Sequence, residues 1–316
     1  MVRTQKLKNF KVNPIDNSTH KPPQIDNLPT LHGIFLATAV RNSGKSQAVA
    51  DLIRKYGKAF DVVKIICPTW ESNEKLFESI LKKPPPEDED RVDVYTEANN
   101  ADLQSFVDYL EEEKEDLDRY HQEMEEWNLF QKQLKTLSIA NVSDDLIMQF
   151  YDEVQDKYIK PHHKWGGKPP SVALLIDDCM ASELLKPHNK AFIRFCVCHR
   201  HLFGIGCSIF LTTQAFKCLG GLAKAVRTNL CAVMMWRNHN PKEYDAIKEE
   251  CTAEIPPEIF DAAYKYAVDN DANSGYDFLF IDFFPKDIHP SPLRKNFDEF
   301  IMVDDLKKKM SNDNIK

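Results

Sequence analysis

Residues 33–46 read GIFLATAVRNSGKS. Gly33 to Thr38 is a short apolar run, which predicts a buried strand. A loop, Ala39 to Gly44, follows it. From Lys45 to Tyr56 (KSQAVADLIRKY) the apolar residues Ala48, Val49, Leu52 and Ile53 recur at helical spacing. Asp61 to Cys67 (DVVKIIC) is a β-branched strand closed by Pro68. A strand–loop–helix–strand succession of this kind predicts a parallel sheet.

The loop has its own chemistry. Ala39 to Ser46 fits x-x-x-x-x-Gly-Lys-Ser, with Ala39 where the full phosphate-loop pattern begins with Gly. Gly44 lets the backbone turn its N–H groups toward phosphate. Lys45 supplies a point charge near the β- and γ-phosphates, and Ser46 offers a hydroxyl to Mg²⁺. The helix that follows directs its positive end at the anion. Asn42, Ser43, Gly44, Lys45, Ser46 and Gln47 are therefore the expected ATP-binding residues. Ala tolerates positive φ poorly, so the first turn of the loop is expected to follow its own path. An ordinary β-to-α turn with a surface lysine is the competing reading, and the strand–helix context argues against it.

A second apolar strand, Val172 to Ile176, delivers Asp177 and Asp178 at its carboxyl end, where open parallel sheets bind ligands. Asp177 is expected to hold Mg²⁺, with Ser46. Asp178 is expected to orient and deprotonate the attacking water. An acidic helix cap is the plainer alternative. Thr212, Thr213 and Gln214 end a third strand, and Gln214 is the preferred sensor of the γ-phosphate; a turn with satisfied hydroxyls is its alternative. The fold expected from these motifs is an α/β P-loop NTPase with a mainly parallel central sheet, flanking helices and a helical insertion.

Around this core, residues 1–30 are expected to form an extended arm, 31–300 the ATPase domain and 301–316 a tail. The insertion spans about 100–165. It is acidic early on, lacks Gly and Pro over 100–160, and suggests a hairpin broken near Ser138 to Ser143. Further helices are expected at 72–82, 187–202, 219–227, 241–250 and 256–268, and further strands at 91–95, 207–212, 230–236 and 278–284. The formal net charge of −8 excludes a simple cationic coat for nucleic acid, so DNA contact must be local or come from a pore. The basic residues Arg3, Lys6, Lys8 and Lys11 of the arm could bind DNA or a capsid surface; a plain disordered tail is the alternative. No apolar run reaches 18 residues and the N-terminus lacks an apolar core, so neither a membrane span nor a signal peptide is expected. Eight cysteines in apolar surroundings read as free thiols. Cys196, Cys198, His199 and His201 invite a zinc reading, but one residue between the cysteines is too few for a structural site.

Taken in order, GIFLATAVRNSGKS, VVKIICPT, ALLIDDC, CHRHLFGIGCSIFLTTQ, AVRTNLCAVMMWR and the closing Leu293-Arg294-Lys295-Asn296-Phe297 resemble the FtsK/HerA-type genome-packaging ATPases. The likeness is to those of large eukaryotic DNA viruses, virophages and Polinton-like elements. It covers about residues 30–80 and 170–300. The resemblance implies a RecA-like core and a homo-oligomeric ring, hexamer or pentamer. It implies ATP-driven translocation of double-stranded DNA into a preformed capsid, with capsid or portal-like vertex proteins as partners and the host cytoplasm as assembly site. It also implies that Arg227 acts on a neighbouring subunit as an arginine finger, from an exposed edge; Arg200 is the second candidate, and a surface salt bridge is the plain reading of each. A HerA-like helicase or recombination ATPase, a regulatory nucleotide-binding module and a small-molecule kinase are the competing readings. The kinase is disfavoured because no arginine-rich lid segment is present.

Overall fold

The computed structural model describes residues 20–136, 159–180, 182–217, 221–238, 240–251, 255–268 and 275–305. The basic residues of the arm, the expected break near residues 138–143, Cys218 and most of the C-terminal tail lie outside them.

The strands are β1 (Ile34–Thr38), β2 (Val62–Ile66), β3 (Val94–Tyr95), β4 (Val172–Ile176), β5 (Cys207–Thr213), β6 (Ala232–Trp236), β7 (Phe278–Asp282), β8 (Leu293–Lys295) and β9 (Glu299–Phe300). They form one sheet in the order β3-β2-β4-β5-β1-β6-β7-β8-β9. The ladders from β3 through β6 are parallel, and β7, β8 and β9 continue antiparallel. The strand carrying Thr212 is thus inserted between the strand that precedes the phosphate loop and the strand that delivers Asp177. This is a RecA-like P-loop arrangement, as the motifs and the resemblance led one to expect.

The helices are α1 (Lys45–Tyr56), α2 (Trp70–Phe77), α3 (Asn100–Thr136), α4 (Lys190–Cys198), α5 (Lys224–Arg227), α6 (Pro241–Cys251) and α7 (Pro257–Val268). They cover both faces of the sheet, which is why the parallel strands read as unbroken apolar runs. Ile34 and Leu36 of β1 face the cluster built with α3, α4, α6 and α7, while Phe35 and Ala37 face the one built with α1 and α2. On the α1 face Phe35 stacks on Phe210 at 4.7 Å, and Phe60 meets Phe210 edge-on at 5.9 Å.

The structure adjusts or extends several sequence expectations. The insertion begins as one continuous helix of 37 residues, Asn100–Thr136, and the hairpin break expected near residues 138–143 lies outside the described residues. At 1.5 Å per residue that is about 55 Å. Leu103, Phe106, Tyr109, Leu110 and Leu117 bury its first half at helical spacing. Glu113 lies in that stripe; Lys164 at 2.8 Å and the Trp165 indole N–H at 2.7 Å match its charge and fasten the returning chain. The helix expected at 187–202 is confined to α4, since the Asn189 side chain accepts from Phe192 N at 3.1 Å and caps it there. The strand expected at 278–284 ends at Asp282, whose carboxylate accepts from Phe284 N at 3.1 Å and turns the chain. Finally, the described part of the arm is docked. Leu28 and Leu31 are buried, Tyr56 Oη donates to Pro29 O at 2.8 Å, and Arg294 donates to Asn27 O at 2.5 Å.

Candidate functional site

The phosphate loop leaves β1 at the carboxyl edge of the sheet. Ala39 N donates to Thr213 O at 3.2 Å, so the β1–β5 ladder runs on into the first loop residue. Ala39 is buried and its φ is not left-handed; the loop turns at Asn42 (φ 60°) and Gly44 (φ 84°) instead. Glycine is therefore not required at position 39, and the departure from the motif costs the loop nothing there. Gly44 caps α1, and Ala48 N donates to Gly44 O at 2.9 Å. Lys45 Nζ donates to Ala39 O and Val40 O, each at 2.9 Å. Burial lowers its pKa, while Asp177 and Asp178 oppose that shift.

Asp177 sits beneath the loop and is 1% exposed. Ser46 Oγ donates to it at 2.9 and 3.1 Å, Thr212 Oγ1 at 2.7 Å, and Cys67 Sγ lies 4.0 Å away. Burial pushes its carboxyl above the usual range, and the hydroxyls of Thr212 and Ser46 partly offset this. Asp177 forms no ion pair among the described residues. The next residue differs in every respect. Asp178 is exposed, takes a left-handed φ of 52°, and its N–H donates to Thr212 Oγ1 at 3.2 Å. Aspartate is one of the few residues that tolerate this conformation, which turns its side chain out of the sheet.

Strand parity explains the assembly. Ala173, Leu175 and Asp177 share the α1 face of β4, as do Phe210 and Thr212 on β5 and Val63, Ile65 and Cys67 along β2. Thr212, rather than Gln214, is consequently the strand-end residue that touches the carboxylate. Gln214 follows β5 and is exposed. Sequence reasoning preferred Gln214 as the γ-phosphate sensor; the contact between Thr212 and the carboxylate depends on the pairing of β4 with β5.

The arginines lie elsewhere. Arg200 precedes β5 and donates to Cys231 Sγ at 3.2 Å, and Arg227 precedes β6. Both are therefore at the amino edge of the parallel strands, opposite the phosphate loop. The Arg227 side chain is not on an exposed edge. It is 7% exposed, pairs with Glu250 at 2.9 Å, donates to Leu222 O and stacks over Phe216 at 5.4 Å. Neither arginine reaches the site of its own chain. Cys196 packs in the core and His199 Nδ1 bonds Cys196 O at 2.7 Å.

The residues present fit Mg²⁺ and a nucleoside triphosphate. Ser46 and Asp177 offer hard oxygens, the donor set that Mg²⁺ selects. The Ser43 and Thr213 hydroxyls beside the loop are buried and make no hydrogen bond among the described residues. No helix among the described residues is long and apolar enough to cross a membrane.

No protein-family model matches the chain, and no curated protein matches it. Among solved structures the fold is similar to the genome packaging NTPase B204 from Sulfolobus turreted icosahedral virus 2 in complex with AMPPCP, with 16% identity over 79% of this chain and 92% of that one, TM-score 0.39. It is similar to the pCW3 conjugation coupling protein TcpA with ATPγS, with 12% identity over 88% of this chain and 65% of that one, TM-score 0.40. EssC (ATPases 2 and 3) from Geobacillus thermodenitrificans is matched at 12% identity over 89% of this chain and 44% of that one, TM-score 0.43.

Proposed function

We propose that the chain is a Mg²⁺-dependent ATPase that moves double-stranded DNA, and that its task is packaging viral DNA into a capsid. The observation that carries the ATPase is the cluster of Ser46, Asp177 and Thr212 beneath a helix-capping Gly44-Lys45 turn. Ser46 and Asp177 would hold Mg²⁺, which supplies charge neutralisation at the β- and γ-phosphates when bound. Asn42, Ser43, Gly44 and Gln47 line the path of the phosphates, and Lys45 leaves the carbonyls of Ala39 and Val40 to meet them. Asp178, projecting outward beside Thr212, holds the attacking water and takes its proton. Gln214 contacts the same water from the end of β5. Arg227, on the opposite edge, acts on the site of a neighbouring subunit in a ring, where it must exchange Glu250 for phosphate.

The DNA and packaging parts rest on the motif resemblance and not on the site. They are tested together by measuring ATP turnover with and without duplex DNA, alongside the mass of the particle in solution. Turnover stimulated by DNA and falling steeply with salt supports the motor, because local phosphate contacts release counterions. Turnover with no duplex effect at low salt would leave an ATPase of the regulatory kind. Strand separation on a forked duplex would instead select the helicase.

A further inference from the structure

Beside the phosphate loop, and sharing Gly44 and Gln47 with it, lies a cleft of about 810 Å³. Its floor is Gly44, Gln47 and Ala48 at the start of α1; its far wall is the segment around β7 and β8. That volume is in the range of small-molecule sites. On that wall Tyr276 is 58% exposed, and its ring covers Gly44 so closely that a Cβ there would meet it at 3.2 Å.

The wall is built to hold its shape. Trp236 Nε1 donates to the Tyr276 carbonyl at 2.8 Å. Asn296, in the left-handed region at φ 51°, accepts from Phe278 N at 3.1 Å and donates to Asp277 at 2.8 Å. Phe297 is wedged edge-on between Phe278 at 5.0 Å and Phe280 at 5.7 Å. The carboxylates of the cleft are matched within the chain: Asp51 by Arg54, Asp298 by Lys55 and Asp277 by Lys295. The rim thus offers acceptors without a net repulsive charge.

We infer that this cleft is the nucleoside subsite, with the base stacked on Tyr276 against Phe297 and the ribose hydroxyls or base amino group donating to the rim near Gln47 and Asp51. The inference rests on the phosphate-loop reading, because the cleft is contiguous with the loop at Gly44. A flat aromatic face favours the larger purine ring, so the subsite takes ATP or GTP in preference to the pyrimidine nucleotides.

The test is calorimetric binding of Mg-ATP, Mg-UTP and inorganic tripolyphosphate to the wild-type chain, Tyr276→Ala and Tyr276→Phe. Stacking on an aromatic ring is typically worth about five- to hundredfold in affinity. Tyr276→Ala should lose about that factor for ATP, retain wild-type affinity for tripolyphosphate and narrow the ATP-over-UTP preference; Tyr276→Phe should behave as wild type. If wild type binds neither ATP nor tripolyphosphate, the phosphate-loop reading falls and takes this subsite with it. If ATP binds but Tyr276→Ala binds it equally well, the subsite alone is wrong. Equal losses for ATP and tripolyphosphate would mean that Tyr276 acts only by packing on Gly44, and would also overturn it.

Discussion

Asp177 and Asp282 are two carboxylates at strand ends, each 1% exposed, and burial pushes both above the usual carboxylate range. Their company differs. Asp282 faces Arg294 at 3.8 Å and His289 at 3.7 Å. Arg294 in turn lies over the Phe280 and Phe300 rings and bonds His289 Nδ1 at 3.2 Å. That network carries its own countercharge and ties β7, β8 and the docked arm together. Asp177 is held by hydroxyls, with Lys45 acting only from a distance. A buried carboxylate among neutral groups is costly by itself. It becomes intelligible when a cation comes from outside the chain. The first network holds its cation within the chain, although Asp282 Oδ2 and Arg294 Nε make no hydrogen bond among the described residues; on the proposed reading the second receives its cation from outside.

The sharpest way to break this contrast is Lys45→Ala. Lys45 is half-buried in the site and bonds only loop carbonyls, so its removal should leave the fold intact and abolish measurable ATP turnover. A variant hydrolysing ATP at nearly the wild-type rate would remove the catalytic meaning of the Asp177 side of the comparison.

Arg227 tests whether a second missing charge is supplied by a neighbour. Fingers of this kind are typically worth about 10³–10⁵ in rate. Arg227→Ala should bind ATP normally and lose turnover by that order. Mixed with Lys45→Ala it should recover some activity, because an intact pocket can receive Arg227 from the Lys45→Ala subunit. Mixed assemblies no more active than either parent would end the trans role and turn attention to Arg200.

Asp178 and Asp177 should separate next. Asp178→Asn should still bind Mg-ATP but turn over about 10²–10⁴ times more slowly, the usual cost of losing a general base. Asp177→Asn should chiefly weaken the metal dependence, read as a raised Mg²⁺ requirement. Identical behaviour of the two variants would erase the division of labour drawn from the buried hydroxyl cluster and the outward left-handed residue.

The motifs show why some of this was legible in the sequence and some was not. Gly44-Lys45-Ser46 and Asp177-Asp178 were readable because the chemistry dictates residue types at fixed spacing after a strand. The parallel strands were readable because burial on both faces leaves unbroken apolar runs. The contact of Thr212 with Asp177 was not legible, because strand register is a relation between distant segments, here Ile176 opposite Leu211. Arg227 was expected on an exposed edge because nothing local announces Glu250, 23 residues away, as its partner. The helical character of the insertion was readable from its lack of Gly and Pro, and α3 runs unbroken to Thr136. Tyr276 carried no signal at all; its position depends on Trp236 and Asn296, which only the folded sheet brings beside it.

The smallest effects provide the cleanest comparison, since one substitution is made at both carboxylates in protein without nucleotide. Asp282→Asn leaves Arg294 buried without its countercharge, and should cost about 3–5 kcal/mol in denaturant unfolding. Asp177→Asn keeps an acceptor for Ser46 and Thr212 while removing a buried charge that forms no ion pair among the described residues. It should stabilise the free protein, by about 0.5–2 kcal/mol, as relief of a functionally strained position commonly does. The pH dependence fixes the cause. A carboxylate whose folded pKa is raised by burial binds its proton more tightly when folded, so its charge destabilises the fold above that pKa and not below the unfolded value. The advantage of Asp177→Asn over wild type should therefore be full at neutral pH and shrink as the pH falls through the raised folded pKa toward the ordinary carboxylate value of 3.8. Saturating Mg²⁺ and ATP should reverse it, because wild type then gains binding free energy that the variant lacks. If Asp177→Asn destabilised the free protein as strongly as Asp282→Asn, Asp177 would be a structural carboxylate like its counterpart, and the site would lose its reason to await a cation.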